Sequence, residues 1–267
     1  MALIGDRLRY TIMRKYLIAW LTVLIFTLPA LSQENDKNTN GKDTDPLALA
    51  ILKAVAEPIK DAKAFSFRIL TARDLLGTND QIVTQFSVSE FTVQRPNKLH
   101  VKFRGHGEPV ELFYDGSGKT VLYSPDVKLY TTIATPTTVD AMLDDVAKKG
   151  LVIAVCNFLE SDPYKSLTDD LTTAYAVGKT TVLDTEVYHL AFTEPGAEWQ
   201  LWVAAGDKPV VRRLEVINKE ESHHPRVVVD FLDWDFSAAP SNDMFTFSKP
   251  SDAREIEMLK LTAEKSR

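Results

Sequence analysis

The chain has 267 residues, a net charge of −6 and an apolar fraction of 45%. This length fits one large β-rich domain or two small ones, and the composition is that of a globular protein with a buried core. The acidic balance makes nucleic acid and anionic membrane surfaces poor partners, because phosphate binding requires concentrated Lys and Arg. Cys156 is the only cysteine, which excludes an internal disulfide; its apolar neighbours indicate a small buried side chain rather than a nucleophile.

The first 32 residues have the pattern of a cleavable secretory signal peptide. Arg14 and Lys15 precede an apolar run at residues 16–28, and Ala30 and Ser32 occupy the −3 and −1 positions of a cleavage site near Ser32. The alternative is an N-terminal anchor. The run has about 13 residues, short of the roughly 20 that cross a bilayer, so we expect cleavage and no stable membrane anchor.

The mature chain is predicted to be a periplasmic protein. No Cys follows the apolar run, so a bacterial lipoprotein attachment site is absent from the sequence. Either Met1 or Met13 can be the start, since both leave a basic segment before the run. Beyond residue 32 the chain has 27 basic and 36 acidic residues, a net charge of −9.

Residues 33–44 are polar and lack periodicity, which is typical of a flexible leader. Asp45 and Pro46 then predict the N-cap and first position of a helix, and apolar residues follow at helical spacing. Pro58 is expected to end this helix near residue 57. Without a repeat or low-complexity linker, residues 45–267 are predicted to form a single domain.

A meander of antiparallel strands is predicted after this helix. The strands are expected at residues 65–69, 82–95, 99–103, 110–114, 120–124 and 128–133. In the second of these, the apolar phase changes between Val88 and Phe91, which suggests a bulge near Ser89 and Glu90.

The middle of the chain is predicted to be helical. Residues 138–149 have acidic residues early, lysines late and Gly150 at the end. A second helix is expected at residues 151–160, and Asp162 and Pro163 start a third. Strands resume at 174–177, 179–183, 187–193, 198–204, 209–219 and 226–236, and a last helix is expected at 251–265. The fold class is therefore α+β, with about eleven strands.

Catalytic motifs are weak in this sequence. His223 and His224 are adjacent in a predicted turn, and the five histidines lack metal-site spacing. Ser117 lies between two glycines, but in a hairpin turn rather than a strand-to-helix elbow. We therefore predict no enzyme, no cofactor and no metal. A hydrolase that uses scattered acids or His189 stays open, because such pairs assemble only in three dimensions.

The aromatic residues lie almost entirely on predicted strands and indicate an extensive apolar sheet face. This face forms either an ordinary core under the helices or a gap that serves as a hydrophobic ligand cavity. Both arrangements need the same alternation of apolar and polar residues along the strands, so the sequence pattern does not separate them. The candidate cavity residues are Phe67, Phe86, Val88, Val101, Phe103, Leu122, Leu190, Phe192, Trp199 and Leu201 on strands, with Met142, Val146 and Phe158 from the helical cover.

Several short motifs resemble the LolA/LolB-like lipoprotein-carrier superfamily. Residues 93–99 contain an Arg-Pro turn after a strand, and residues 113–116 and 121–125 match an Asp-Gly and Tyr-x-Pro hairpin. The chain is similar to one family of predicted periplasmic proteins, with a domain of unknown function, in this superfamily. That similarity spans about residues 46–258. It lies at 138–143, 161–164, 189–192, 198–203, 209–216, 231–234 and 242–250.

The resemblance implies an open antiparallel half-barrel whose concave face is covered by helices. It also implies that the concave face holds acyl chains, with Arg95 near the cavity mouth. The middle helices and the pair Trp199 and Trp202 depart from the carriers, which puts lipoprotein transfer itself in doubt.

Two functions follow as hypotheses. The first is a non-enzymatic periplasmic carrier that binds a lipid or acylated ligand, because each buried CH₂ contributes about 0.8 kcal/mol. The second is an envelope protein-interaction or stress-sensing module with a filled core and no lipid ligand. The ligand, the protein partner and the oligomeric state are not determined by the sequence.

Overall fold

The structure is a computed structural model that describes residues 43–257, with the exception of residues 78, 152 and 154. The predicted signal peptide, most of the leader and the end of the predicted C-terminal helix lie outside the described residues. The last two leader residues, Asp43 and Thr44, form a short strand.

Four α-helices and thirteen strands make up the described part of the chain. The helices are α1 (Pro46–Asp61), α2 (Val139–Lys148), α3 (Cys156–Leu159) and α4 (Pro163–Thr168). The strands are β1 (Asp43–Thr44), β2 (Ala64–Leu76), β3 (Ile82–Gln94), β4 (Lys98–Arg104), β5 (Val110–Tyr114), β6 (Lys119–Ser124), β7 (Leu129–Ala134), β8 (Thr173–Val182), β9 (Thr185–Glu194), β10 (Ala197–Ala204), β11 (Val211–Asn218), β12 (Arg226–Asp235) and β13 (Arg254–Glu255).

All thirteen strands belong to one open sheet, in the order β1-β8-β9-β10-β11-β12-β2-β3-β4-β5-β6-β7-β13. Neighbours are antiparallel except at the two edges, where β1 pairs with β8 and β13 pairs with β7 in parallel. The predicted α+β class with an open antiparallel sheet is confirmed. The strand number is 13 rather than about eleven, because two-residue strands at the edges carry too little pattern to be seen in sequence.

The first helix begins as predicted and ends later. Asp45 accepts a 2.8 Å hydrogen bond from the backbone N–H of Leu47, and Pro46 occupies the first helical turn. The helix continues through Pro58 to Asp61, so the predicted end near residue 57 is wrong. Ile59 is 1% exposed, and burial of its side chain keeps the last turn helical although Pro58 lacks an N–H.

The predicted helix at residues 151–160 is also largely wrong. Among the described residues of this run, only Cys156–Leu159 is helical, and Val155, which precedes it, has a left-handed backbone with φ of 54°. Helix formation requires a costly first turn, so a run this rich in β-branched residues does not form a long helix. The helices α2 and α4 match their predictions, with Thr138 and Asp162 as N-caps.

A long hairpin of β2 and β3 forms the middle of the sheet. Its two 13-residue strands pair without interruption from Ala64 with Gln94 to Leu76 with Ile82, so the predicted bulge near Ser89 is wrong. The change of phase has another cause. Apolar side chains occupy both faces of β3, with Phe91 and Val93 on one face and Phe86 and Val88 on the other, because successive residues of a strand alternate.

Bulges occur elsewhere in the sheet. The registers shift in β8 after Ala176, between β10 and β11 after Trp202, and in β12 after Leu232. The β8 bulge joins two predicted strands, 174–177 and 179–183, into one. In β12, Asp233 has φ of 54°, and this left-handed residue places Trp234 on the same face as Phe231.

The segment after β12 crosses the outer face of β4–β7. It contains a short 3₁₀ helix, Asn242–Phe245, in which Phe245 is buried. Phe247 contacts the rings of Phe113, Tyr123 and Tyr130 at 5.1–5.5 Å. Residues 251–257 contain a turn and β13 rather than the start of the predicted helix, because pairing with β7 satisfies their backbone.

Candidate binding surfaces

The two faces of the sheet differ. We call the face that carries Phe67 on β2 the inner face, and its apolar side chains the inner wall. Cross-strand partners share a face, so Phe91, Val101 and Leu112 belong to the same wall. The helices cover this wall and form one hydrophobic core with it.

The inner wall is filled by the protein's own side chains. Met142 and Val146 from α2 are fully buried, and Phe158 from α3 is 1% exposed. The Phe67 ring lies 4.8 Å from Phe91 and 4.4 Å from Trp234, and such centroid distances are those of contacting aromatic rings. Most of the predicted cavity residues are therefore packed core. These are Phe67, Val101, Met142, Val146, Phe158, Leu190, Phe192, Trp199 and Leu201.

The remaining predicted residues lie elsewhere. Leu122 is half-buried on the inner wall, and Phe103, the register partner of Ser89, is 36% exposed at its rim. Phe86 and Val88 project from the opposite, outer face and cannot share a cavity with Phe67. The structure therefore brings most of the set together but separates this pair. Whether any of these residues binds a ligand stays a prediction.

Arg95 lies beneath the helical cover. Its guanidinium donates hydrogen bonds to the carbonyl oxygens of Leu159 and Glu160, at 3.2 and 2.6 Å, and approaches that of Ile59 at 3.5 Å. Burial lowers the pKa of Arg95, and the Asp140 carboxylate opposes that effect. A cation is favourable where helices present their last carbonyls, so Arg95 ties α1 and α3 to the end of β3.

One core residue was missed by sequence reasoning as part of the site. Trp234 stacks on Phe67 and donates a 3.0 Å hydrogen bond from Nε1 to the Val211 carbonyl oxygen. A plain alternation along β12 places Trp234 on the face opposite Phe231. Only the bulge at Asp233 brings it inward, and no strong sequence signal marks that bulge.

The outer face of the long hairpin exposes apolar side chains. Phe86 is 63% exposed, and its register partner is Ala72. We define the hairpin patch by the apolar residues of this face, Leu70, Leu76, Ile82, Phe86 and Val88. On this face the Leu76–Ile82 pair is separated from the Ala72–Phe86 and Leu70–Val88 pairs by the hydrogen-bonded Asp74–Thr84 pair.

On the outer face of strands β9, β10 and β11, polar side chains form a row of cross-strand hydrogen bonds, which we call the polar ladder. His189 Nε2 lies 2.7 Å from Gln200 Oε1, and Gln200 Nε2 donates to Glu215 Oε1 at 3.2 Å. The His189 ring stacks on Trp202 with centroids 4.4 Å apart. Arg213 and Asp230 form a two-point ion pair beside this ladder. These side chains bond to one another across strands, which is a structural use of His189.

Burial also perturbs the titration of Cys156, Glu194 and His100. Burial raises the pKa of the Cys156 thiol to about 11, which keeps it protonated and unreactive. Burial also raises the pKa of Glu194 to about 7, with a further contribution from the Asp170 carboxylate. Burial lowers the pKa of His100, although Glu111 lies 3.2 Å from its Nε2. Within the described residues, no group of three His, Cys, Asp or Glu side chains is placed to hold a metal ion.

The fold and these surfaces define a class: an open antiparallel sheet with a helix-covered, filled inner wall and an exposed apolar hairpin. The family model for predicted periplasmic proteins known as DUF2092 matches residues 48–259, and the chain belongs to that family. This confirms the resemblance seen in sequence, and the family's description places the protein in the periplasm. No helix among the described residues is both long enough and apolar enough to span a bilayer.

The solved structures that match this chain have low sequence identity. A conserved protein of Thermus thermophilus is 9% identical, with a TM-score of 0.46 over 79% of this chain and 98% of that one. The lipoprotein LppX of Mycobacterium tuberculosis is 12% identical, with a TM-score of 0.46 over 73% and 98%. A LolA superfamily protein of Nitrosomonas europaea is 12% identical, with a TM-score of 0.37 over 75% and 97%. No curated protein matches the sequence.

Proposed function

We propose that this periplasmic protein is a non-catalytic interaction module, which binds an envelope protein through its outer surface. The observation that carries this proposal is the contrast between the two faces of the central hairpin. Phe67 on the inner face is 3% exposed, whereas Phe86 on the outer face is 63% exposed. The described side chains of the inner wall are buried against one another and against the helices, whereas an exposed apolar patch gains free energy when a partner covers it.

The test is affinity purification of the tagged mature protein from periplasm, followed by native mass spectrometry. We expect a protein partner and a module mass that equals the polypeptide alone. Phe86→Ser should lose the partner without loss of folding. Leu183→Ser is the matched control, because Leu183 is 55% exposed and lies in the β8–β9 turn, away from the patch. A stoichiometric lipid without a protein partner would contradict the proposal.

Acyl-chain carriage is the second candidate, and the construction of α2 favours it. This amphipathic helix covers the wall with four buried side chains, Val139, Met142, Leu143 and Val146. An acyl chain that gains about 0.8 kcal/mol per buried CH₂ can replace their burial if α2 moves away. Asp140 ties the helix down, since it accepts hydrogen bonds from Ser161 N–H and Oγ–H at 2.9 and 2.5 Å.

A fluorescent fatty acid titration separates the two candidates. If α2 must open, Asp140→Ala should tighten fatty acid binding, because it removes the tie to Ser161. Asp144→Ala, an exposed position on the same helix, should leave the affinity unchanged. The absence of binding in the wild type and both variants would exclude carriage and leave the interaction module.

A further inference from the structure

A cleft of about 170 Å³ lies where the end of the long hairpin meets the β11–β12 loop. Leu75, Leu76 and Ile82 line it from the hairpin, and Pro225 lines it from the loop. Asp74, Glu221, Ser222 and His223 supply its polar rim. The cleft adjoins the hairpin patch, with which it shares Leu76 and Ile82.

The walls of the cleft are held in place. Asn218 Oδ1 accepts hydrogen bonds from the backbone N–H groups of Glu220 and Glu221, and Asn218 Nδ2 donates to Glu221 Oε1 at 2.8 Å. On the hairpin, Thr84 Oγ1 donates to Asp74 Oδ1 at 2.9 Å. Both rim carboxylates are therefore held in place before binding, so their side chains lose little conformational entropy when a partner binds.

The size of the cleft indicates what fills it. Pockets for small-molecule ligands measure about 300–1,000 Å³, and this cleft of about 170 Å³ is smaller. A cleft of this volume suits one anchoring side chain of a protein partner, since interfaces concentrate their binding energy in such anchors. Two of its apolar lining residues are well exposed: Leu76 is 46% and Ile82 53% exposed.

The charge around the cleft indicates which charge a partner should carry. Asp74 and Glu221 line the cleft, and the neighbouring cations Lys219 and Arg226 are paired with Glu198 and Glu215. Arg73 is paired electrostatically with Glu221, and its burial lowers its pKa. The local balance is negative, as is that of the whole mature chain. Such a field attracts basic partners and repels anionic lipid surfaces.

Building on the proposed function, we propose that the cleft and the hairpin patch dock a basic, apolar segment of an envelope protein. One Lys or Arg side chain of that segment occupies the cleft, with its apolar stem against Leu75 and Ile82 and its charge beside Asp74 and Glu221. The apolar neighbours of that side chain cover the hairpin patch. The rim carboxylates fix the position of the bound segment along the cleft, and burial of its apolar side chains on the hairpin patch supplies the affinity.

The test uses the full mature chain and three short synthetic peptides, in which Leu alternates with Lys, Leu with Glu, and Ser with Lys. We expect fluorescence anisotropy to show binding of the Leu–Lys peptide alone. Ile82→Ser should weaken it about tenfold, as loss of an interface anchor does. The double variant Asp74→Asn, Glu221→Gln should weaken it about threefold to tenfold and flatten its salt dependence. Ile82→Val should retain binding, and Leu183→Ser is the matched control.

Equal binding of the Leu–Glu peptide, no binding of any peptide, or an unchanged affinity in Ile82→Ser would overturn this docking site. Preferential binding to phosphatidylglycerol vesicles would overturn it in favour of a lipid surface. Circular dichroism of each variant reports folding, which these exposed positions should not disturb. If a partner recovered from periplasm still binds Ile82→Ser, the interaction module stands and only the docking site fails.

Discussion

Arg95 donates a hydrogen bond of 2.6 Å from its guanidinium to the carbonyl oxygen of Glu160, the C-cap residue that follows α3. The same guanidinium donates a hydrogen bond to the carbonyl oxygen of Leu159 and lies 5.5 Å from the centroid of the Phe65 ring. The sequence resemblance implied that Arg95 stands at the mouth of a cavity. In the structure Arg95 joins the helical cover to the sheet through the carbonyl oxygens at the C-terminal end of α3, and its place at a cavity mouth stays a prediction.

Replacement of Arg95 should therefore destabilise the fold. Arg95→Met keeps much of the side-chain volume but removes the donors, and we expect a loss of about 2–3 kcal/mol in the free energy of unfolding, because hydrogen bonds to charged groups contribute that much. Urea denaturation measures it. Arg104→Met is the control: Arg104 pairs with Glu90 at the surface, so its replacement should cost less than about 1 kcal/mol. Equal losses would contradict the role assigned to Arg95.

Two phenylalanines on neighbouring strands should differ sharply on truncation. Phe67→Ala opens a cavity in the aromatic core and should cost about 3–5 kcal/mol of unfolding free energy. Phe86→Ala removes an exposed ring and should change stability by less than about 0.5 kcal/mol. Thermal and urea unfolding of both variants check this. A large loss in Phe86→Ala would show that the outer face of the hairpin is covered in the folded protein.

Glu194 should make stability depend on pH. Its pKa is about 7 in the fold, against a usual value of 4.5. A carboxyl whose pKa is raised on folding contributes stability that is complete below pH 4.5 and is lost as the pH rises through 7. Glu194→Gln keeps the side chain neutral, so it should be more stable than the wild type at pH 8 by about 2 kcal/mol, a value reduced by partial solvent contact.

Chemical unfolding of Glu194→Gln and wild type at pH 5 and pH 8 measures this difference. At pH 5 the difference should fall below about 1 kcal/mol, because this pH lies close to the unfolded-state pKa of 4.5, where little of the stability has been lost. Glu108→Gln, at an exposed position, serves as the control and should follow the wild type at both values. The same pH dependence in Glu194→Gln and wild type would assign the effect to another group.

Trp234 should contribute to stability through both its ring and its N–H. Trp234→Phe removes the hydrogen bond to the Val211 carbonyl oxygen and leaves a buried acceptor without that donor, which should cost about 2 kcal/mol. Trp202→Phe, on the outer face, loses only part of a stack with His189 and should cost less than about 1 kcal/mol. Urea unfolding should be monitored by circular dichroism, because the loss of a tryptophan changes the intrinsic fluorescence of each variant. Similar losses in both variants would contradict the inward position of Trp234.

The elements that sequence predicted well depend on local chemistry. Asp45 is the N-cap that was predicted, and α2 and α4 begin close to their predicted starts, because Asp45, Thr138 and Asp162 each accept a hydrogen bond from a backbone N–H within the first turn. The strands of both meanders were found because alternation of apolar residues is a property of neighbouring positions. Helix 151–160 failed because its apolar composition is shared by irregular segments that pack on a core.

The candidate site was harder to predict than the elements. Phe86 and Phe67 look alike in sequence, since each stands in an alternating strand. Their opposite faces follow from the uninterrupted pairing of β2 and β3, which one strand's pattern does not reveal. Trp234 was missed for the complementary reason, because a bulge at Asp233 reverses the face that plain alternation assigns to it.

By itself, the sequence determined the α+β class, the order of the longer strands and of the helices α1, α2 and α4, the acidic charge, the family resemblance and the prediction of export, since each rests on composition or on neighbouring residues. Only the tertiary structure decided that the inner wall is filled, that Arg95 joins the helical cover to the sheet, and that Phe86 stands on the outer face. Those features depend on which side chains from distant strands meet, and packing between distant segments is not encoded in any local period.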